Sequence, residues 1–269
     1  MKNDFENVKK LYHFTKFDTA ILILESHCLR FGRLNDMNDI HENDKLSFVD
    51  VSGNQINDFP TNLLAVIDDE IAKYRQISFT IDDEKHKKRG FDLHQMWGLY
   101  ADKGQGVCLV FDKQILCKQL DGTILHKAVS YDITVESFYI ENSKNAQSIK
   151  QDIQSNSEKL FFHKRKEWEH EQEYRLIKRC PSTKKVEYHN YGEALKYIIL
   201  SSKIEDVDCV KFKKMEEKLI KLAPEVPRLV YGNGLLDDTL LDIAHNEIIW
   251  SSSQDYDISI PGENCEIDA

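Results

Sequence analysis

DLHQMWGLYADKGQGVCLVFD, residues Asp92 to Asp112, is the stretch on which the reading of the fold turns. Met96, Trp97 and Tyr100 recur at helical spacing, Gly104 and Gly106 mark a turn, and VCLVF is a continuous apolar run of strand length. The segment therefore predicts a helix, a glycine turn and a buried strand in immediate succession. Trp97, Gly104, Gly106 and Cys108 read as the packed frame of that unit rather than as reactive groups.

Working outward, LYHFT (Leu11 to Thr15) predicts a short strand, DTAILILESH a helix capped by Asp18, and LRFGRL a second strand. NDMNDIHEND is rich in turn formers and predicts a loop. In TNLLAVIDDEIAKY, Leu63, Leu64, Ile67 and Ile71 fall on one helical face, and QISFTI follows as a strand. HKAVSYD predicts a strand, and Ile149, Ile153, Leu160 and Phe161 suggest one long helix from about Ser143 to Trp168. EYRLIKR and YIILSS predict strands, VDCVKFKKMEEKLIKL predicts a helix that stops before Pro224, and RLVYGNG and IIWSSS predict further strands. These elements are interspersed without a regular βαβ rhythm and without GxGxxG. The expectation is a single α+β domain over residues 1–250, with a mixed or split β-sheet flanked by helices, and a weakly structured tail over residues 251–269.

The 269 residues are 41% hydrophobic and 30% charged, enough apolar material for a substantial core. No run approaches the roughly 18 apolar residues of a membrane span, and MKNDFENVKK carries no secretory signal, so a cytoplasmic protein without a membrane partner is expected. Six scattered cysteines with no CxxC pair read as reduced thiols. A formal net charge of -10 works against nonspecific attraction to nucleic acid or anionic lipid. KHKKRG, the compact basic run at Lys85 to Gly90, reads as a solvated loop.

Three clusters hold residues suited to chemistry. Tyr12, His13 and Thr15 lie on the first strand, where a lone histidine is ordinarily a hydrogen-bonded structural residue. Asn35, Asp36, Asn38, Asp39, His41 and Glu42 carry metal-type donors but match neither the EF-hand spacing nor HExxH, and no metal is expected. The third cluster joins Lys164 and Trp168 to Glu171, Glu173 and Arg175. Glu169, Glu171 and Glu173 alternate, so an extended chain would set three like charges on one face, a destabilising arrangement. Arg175 on that face would hold Glu173 ionised and oriented, and an oriented carboxylate stabilises a developing cation. Lys164 is accounted for by ordinary pairing between charges at a helix end.

FGRLNDMNDIHE, MWGLYADKGQGVCLVF and KRKEWEHEQEYRLI, taken in order, resemble a bacterial family of unknown function, DUF2971, whose motifs run approximately FNDPFE, MWxxYAxxxxGxC and KxxxWxxExEYR. The resemblance spans about Leu11 to Ser202, and Ile40 and His41 depart from it where the family has Pro and Phe. LYHFT with its following helix and LRFG is also similar to the opening of DarT-like and RNA 2'-phosphotransferase-like members of the ADP-ribosyltransferase superfamily. That likeness implies an ADP-ribosyltransferase-like fold that takes NAD as substrate, with His13 on the adenosine-side ribose or phosphate beside Tyr12 and Thr15. It further implies Tyr100 as the middle aromatic, with Tyr74 and Tyr131 as alternatives, and the pair Glu171 and Glu173 as the catalytic carboxylates, with Arg175 supporting them. The acceptor is left open between protein, nucleic acid and water, as is the oligomeric state, and a toxin or phage-defence setting is implied. Two other readings compete: a non-catalytic ligand- or partner-binding module, and a metal-dependent nuclease built on Asp39, Glu42, Glu171 and Glu173.

Overall fold

Runs of β-branched and aromatic residues set the strands, and their long-range pairing gathers separated parts of the chain. The computed structural model describes residues 9–34, 46–56, 58, 60–83, 85–86, 88–132, 138–141, 144–183 and 185–231. The loop expected at Asn35 to Glu42, the IIWSSS strand and the tail at residues 251–269 lie outside the described residues. The described chain falls into two units, each discontinuous in sequence: the first draws on residues 1–28, 80–119 and 191–269, the second on 29–79 and 120–190.

In the first unit, β1 (Lys10–Thr15) runs antiparallel to β5 (Val107–Asp112), with Leu11 opposite Phe111 and Thr15 opposite Val107. β5 pairs antiparallel with β12 (Leu195–Ser201), and β12 runs parallel to β13 (Arg228–Tyr231), so the sheet is mixed. β5 is buried along its length, which explains why its sequence is continuously apolar rather than alternating. One face packs Tyr12, Phe14, Cys108, Val110, Tyr197, Ile199, Leu229 and Tyr231 against Met96 and Trp97 of α3 (His94–Tyr100). α1 (Phe17–Ser26) buries Ala20, Ile21, Ile23 and Leu24 and contacts β5 and α8 (Cys209–Leu222), which buries Phe212, Met215 and Leu219. α4 (Lys113–Lys118) is capped by Asp112, whose carboxylate accepts the Ile115 N–H at 2.9 Å, and α7 (Ser202–Val207) follows β12 directly.

The helix, turn and strand expected at Asp92 to Asp112 are present. Ala101 O accepts both Gly104 N–H at 2.9 Å and Gly106 N–H at 2.7 Å, and Asp102, Lys103 and Gly104 all take positive φ. A Cβ at Gly106 would sit 2.2 Å from the Thr15 carbonyl oxygen, so the close approach of β1 requires glycine there. Trp97 Nε1 donates to Phe91 O at 2.7 Å and its ring stacks on Tyr231 at 5.6 Å. Cys108 has no exposed surface, and burial pushes its thiol pKa well up.

In the second unit, β10 (Glu173–Arg179) pairs antiparallel with β6 (Ile124–Ala128) and also pairs with β4 (Tyr74–Thr80). β4 runs antiparallel to β2 (Cys28–Arg33), which is followed in the sheet by β11 (Glu187–Asn190). Two short parallel pairs accompany them: β3 (Leu46–Val49) with β8 (Phe138–Glu141), and β7 (Ser130–Asp132) with β9 (His163–Arg165). α2 (Thr61–Ile71) and α5 (Ala146–Ser155) pack together over Ile67, Tyr74, Ile149, Ile153 and Ile177, with Leu160 and Phe161 from α6 (Ser157–Phe161). Mixed α and β structure with a mixed sheet flanked by helices is therefore observed.

Three local expectations are corrected. The long helix from Ser143 to Trp168 is instead α5, α6, the strand β9 and a 3-10 turn over Lys166–Glu171. β9 exists because it pairs with β7, a partner no local periodicity reveals. Asp18 lies in the first turn of α1, whose N-cap is Lys16 without a side-chain cap. Cys28, Cys108, Cys117 and Cys180 are free thiols, whereas Cys209 is disulfide-bonded.

Candidate functional site: a buried charge quartet

The acidic run that leads into β10 does not form the extended row that simple alternation predicts. Lys166–Glu171 closes into a 3-10 turn, and Gln172 then adopts the left-handed conformation at φ 45°, ψ 54° before the strand begins at Glu173. Glu169 thereby leaves the row and pairs with Lys166 at 2.5 Å. Glu171 and Glu173 turn inward, 2% and 5% exposed.

Two cations meet them. Lys164 of β9 donates from Nζ to Glu171 Oε2 at 2.7 Å and lies 3.5 Å from Glu173 Oε2. Arg175 of β10 donates from Nη2 to Glu173 Oε2 at 2.7 Å and from Nη1 to the Phe161 carbonyl at 2.7 Å. Lys164 is 5% exposed and Arg175 1%, so four charges that sum to zero are held almost entirely out of water. The expected pairing of Arg175 with Glu173 is present.

Neutral groups complete the setting. Gln76 of β4 donates from Nε2 to Glu173 Oε1 at 3.3 Å and to Ser78 Oγ at 2.7 Å. The Glu173 backbone N–H donates to the Tyr131 hydroxyl at 2.7 Å. The Trp168 ring, half-buried on the 3-10 turn, lies under the Lys164 ammonium with Nζ 4.5 Å from its centroid. Burial, and then the charge of Glu173, push the Tyr131 hydroxyl pKa well up, so this phenol stays protonated. Burial on its own would lower the Lys164 pKa, but Glu173 and Glu171 outweigh it and the ammonium is held above the ordinary lysine value.

Tyr12, His13, Thr15 and Tyr100 fall in the first unit. Tyr12 is buried with its ring edge-on to Phe91 at 6.0 Å, and a Cβ on Gly90 would meet that ring at 2.2 Å, so Tyr12 is committed to packing. Burial and the nearby Asp82 raise its hydroxyl pKa well above the usual value. His13 is half-buried on β1 opposite Leu109, and Thr15 is buried opposite Val107. Tyr100 ends α3 and packs against the aromatic face, a helical placement. Of the alternatives, Tyr131 stands at Glu173, whereas Tyr74 packs its ring on Phe161 at 4.5 Å.

Sequence reasoning missed Gln76 and undervalued Lys164. Gln76 carried a weak signal, because Gln76, Ser78 and Thr80 form a polar row of period two within a strand whose other positions include Ile77 and Phe79. Lys164 stood in the third cluster and opens the KxxxWxxExEYR match, but its burial had no local signal, since that depends on β7 and on the inward turn of Glu171. Among the described residues no group of His, Cys, Asp or Glu is placed to hold a metal ion, and Asp39 and Glu42 of the nuclease reading lie outside them. Among the same residues no helix is long and apolar enough to cross a membrane.

The packed frame and the charge quartet lie within a single stretch that also stands out by comparison. Residues 96–176 match the family described as "Protein of unknown function (DUF2971)". The resemblance holds over that segment. The DUF2971 match runs from Met96, the first residue of the tryptophan motif, to Leu176, just past Arg175, so it encloses both the packed frame and the charge quartet. No curated protein and no solved structure gives a significant match to the chain.

Proposed function

We propose that the protein is an NAD-consuming enzyme of the ADP-ribosyltransferase kind, with Glu173 as the carboxylate that stabilises the ribosyl cation. The observation that supports this reading is the fixation of Glu173: its two oxygens are held by Arg175 and Gln76, its backbone by Tyr131, and it sits in a dry setting. In such a setting a fixed negative charge acts on developing positive charge without reorganisation. The reaction breaks the bond between ribose C1′ and nicotinamide nitrogen, and the bonding pair leaves with nicotinamide. An acceptor oxygen or nitrogen from protein, nucleic acid or water then bonds C1′ and loses a proton. The split-sheet fold, the cytoplasmic location and the toxin or phage-defence setting implied by the sequence resemblance belong to the same proposal.

The test is nicotinamide release from NAD by the full chain. Glu173→Gln, nearly isosteric, should leave the melting temperature close to that of the wild type and lower turnover by about 100-fold or more. Absence of release by the wild-type protein, or an unaffected Glu173→Gln variant, would overturn the proposal. A second reading, a non-catalytic binding module, is favoured by one specific observation: the four buried charges already neutralise one another. It predicts NAD or another ligand bound without turnover, equally well by both proteins.

A further inference from the structure

The two carboxylates of the quartet do not share their cations equally. Glu173 receives the Arg175 guanidinium on one oxygen and the Gln76 amide on the other, while Glu171 receives the Lys164 ammonium at 2.7 Å. Lys164 is nevertheless within 3.5 Å of Glu173, so its ammonium contacts both acids. We infer that Lys164 is a positioning residue: by standing between Glu171 and Glu173 it keeps both ionised together, and so keeps Glu173 available as a fixed negative charge. This role rests on the proposed function for its catalytic consequence but not for its electrostatics.

The physical reason is the cost of two like charges in a dry site. Two carboxylates that share a buried site do not both ionise, and one of them binds a proton at raised pKa. Arg175 neutralises only one unit of charge, and its second nitrogen is bound to the Phe161 carbonyl. Charged or titratable groups facing the pair include Lys164 from β9, Arg175 from β10 and the Tyr131 phenol from β7, and Tyr131 stays neutral. Lys164, in contact with both acids, supplies a further neutralising charge. Trp168 fixes where that charge stands, with its ring 4.5 Å from the ammonium.

Carbon-13 NMR of the glutamate side-chain carboxyls, followed against pH in the full chain, tests this without any substrate. Lys164→Met should raise the titration of one buried glutamate by about one pH unit or more. Lys164→Arg should restore the wild-type titration, and Lys164→Met with Glu171→Gln, which removes the ion pair whole, should leave Glu173 titrating as in the wild type. The acid limb of nicotinamide release should move up in pH by the same interval in Lys164→Met and return in Lys164→Arg. Unmoved titrations in a Lys164→Met variant that merely melts at lower temperature would overturn the inference. If Lys164→Met does not fold, the double variant decides: its folding with a normal Glu173 titration supports the role, and its failure to fold refutes it. Should the wild type release no nicotinamide, the NMR titrations still decide the role of Lys164, and only the proposed function falls.

Discussion

Glu70 offers the most quantitative test of how the second unit is held together. It lies on α2 with no exposed surface, and its carboxylate accepts from Arg179 Nε of β10 at 2.6 Å, Gln154 Nε2 of α5 at 2.9 Å and Lys73 Nζ at 3.1 Å. Burial acts to raise its pKa, but the hydrogen bonds from Arg179, Gln154 and Lys73 prevail and lower it from the usual 4.5 to about 2. A depressed folded-state pKa contributes stability that is present above the unfolded value and lost as pH falls through the folded one. At about 1.36 kcal/mol per pKa unit, the shift corresponds to at most about 3 kcal/mol at neutral pH. Arg179 is 39% exposed, so solvent screening reduces this to roughly 2 kcal/mol. Somewhat more than half of that contribution should be gone by about pH 3. Urea denaturation of wild type and Glu70→Gln at successive pH values reads the effect directly. The difference between the two should be about 2 kcal/mol at pH 7 and should shrink steadily below about pH 4.5. A difference that stays constant from pH 7 to 3 would show that Glu70 acts through packing and not through its charge.

Two further perturbations address the frame. Gly106→Ala would place a Cβ 2.2 Å from the Thr15 carbonyl oxygen and 2.9 Å from Ala101 backbone atoms, and should cost about 2 to 3 kcal/mol in thermal or chemical denaturation, whereas Gly122→Ala, with nothing within 4 Å, should be near neutral; equal melts for the two would refute the close approach. Limited proteolysis within residues 120–190 should not yield two separable folded halves, because β5 pairs with β12 across any such cut and β4 with β10 across those before Glu173; recovery of two independently folded fragments would contradict it.

The parts legible in the sequence were those whose causes are local. The Trp97 helix, the Gly104 turn and β5 are neighbours in the chain, and their spacing, glycines and apolar run each point to the same structure. The segment from Ser143 to Trp168 misled because Leu160 and Phe161 continue a helical spacing, while β9 is created by Ser130 to Asp132, more than 30 residues earlier by subtraction of positions. The quartet was half legible for the same reason. Arg175 pairs with Glu173 two positions away on one strand face, which alternation predicts. Gln76 comes from a strand 97 residues away, and Lys164 is buried on a strand made by pairing with β7, beside a Glu171 that precedes the left-handed Gln172, a backbone step that no alternating pattern encodes.

The two motifs inside residues 96–176 differ in what their residues are spent on. In the first, each landmark has a packing explanation: Trp97 fills the aromatic face, Ala101 closes the turn, Gly106 admits Thr15 and Cys108 is wholly buried. In the second, packing explains Tyr174 and Leu176 but not four charges at 1% to 5% exposure. Buried ion pairs are poor sources of stability, since apolar side chains of similar volume generally serve as well or better. Removing one member is costly only because it strands its partner. Stability alone at this joint would be served as well by leucines, which is what makes the quartet the candidate site of the proposed function. Under the proposed function, the chemistry of this segment would fall at Glu171 and Glu173, beside Lys164 and Arg175, whereas the landmarks of the tryptophan motif are spent on packing in the other unit.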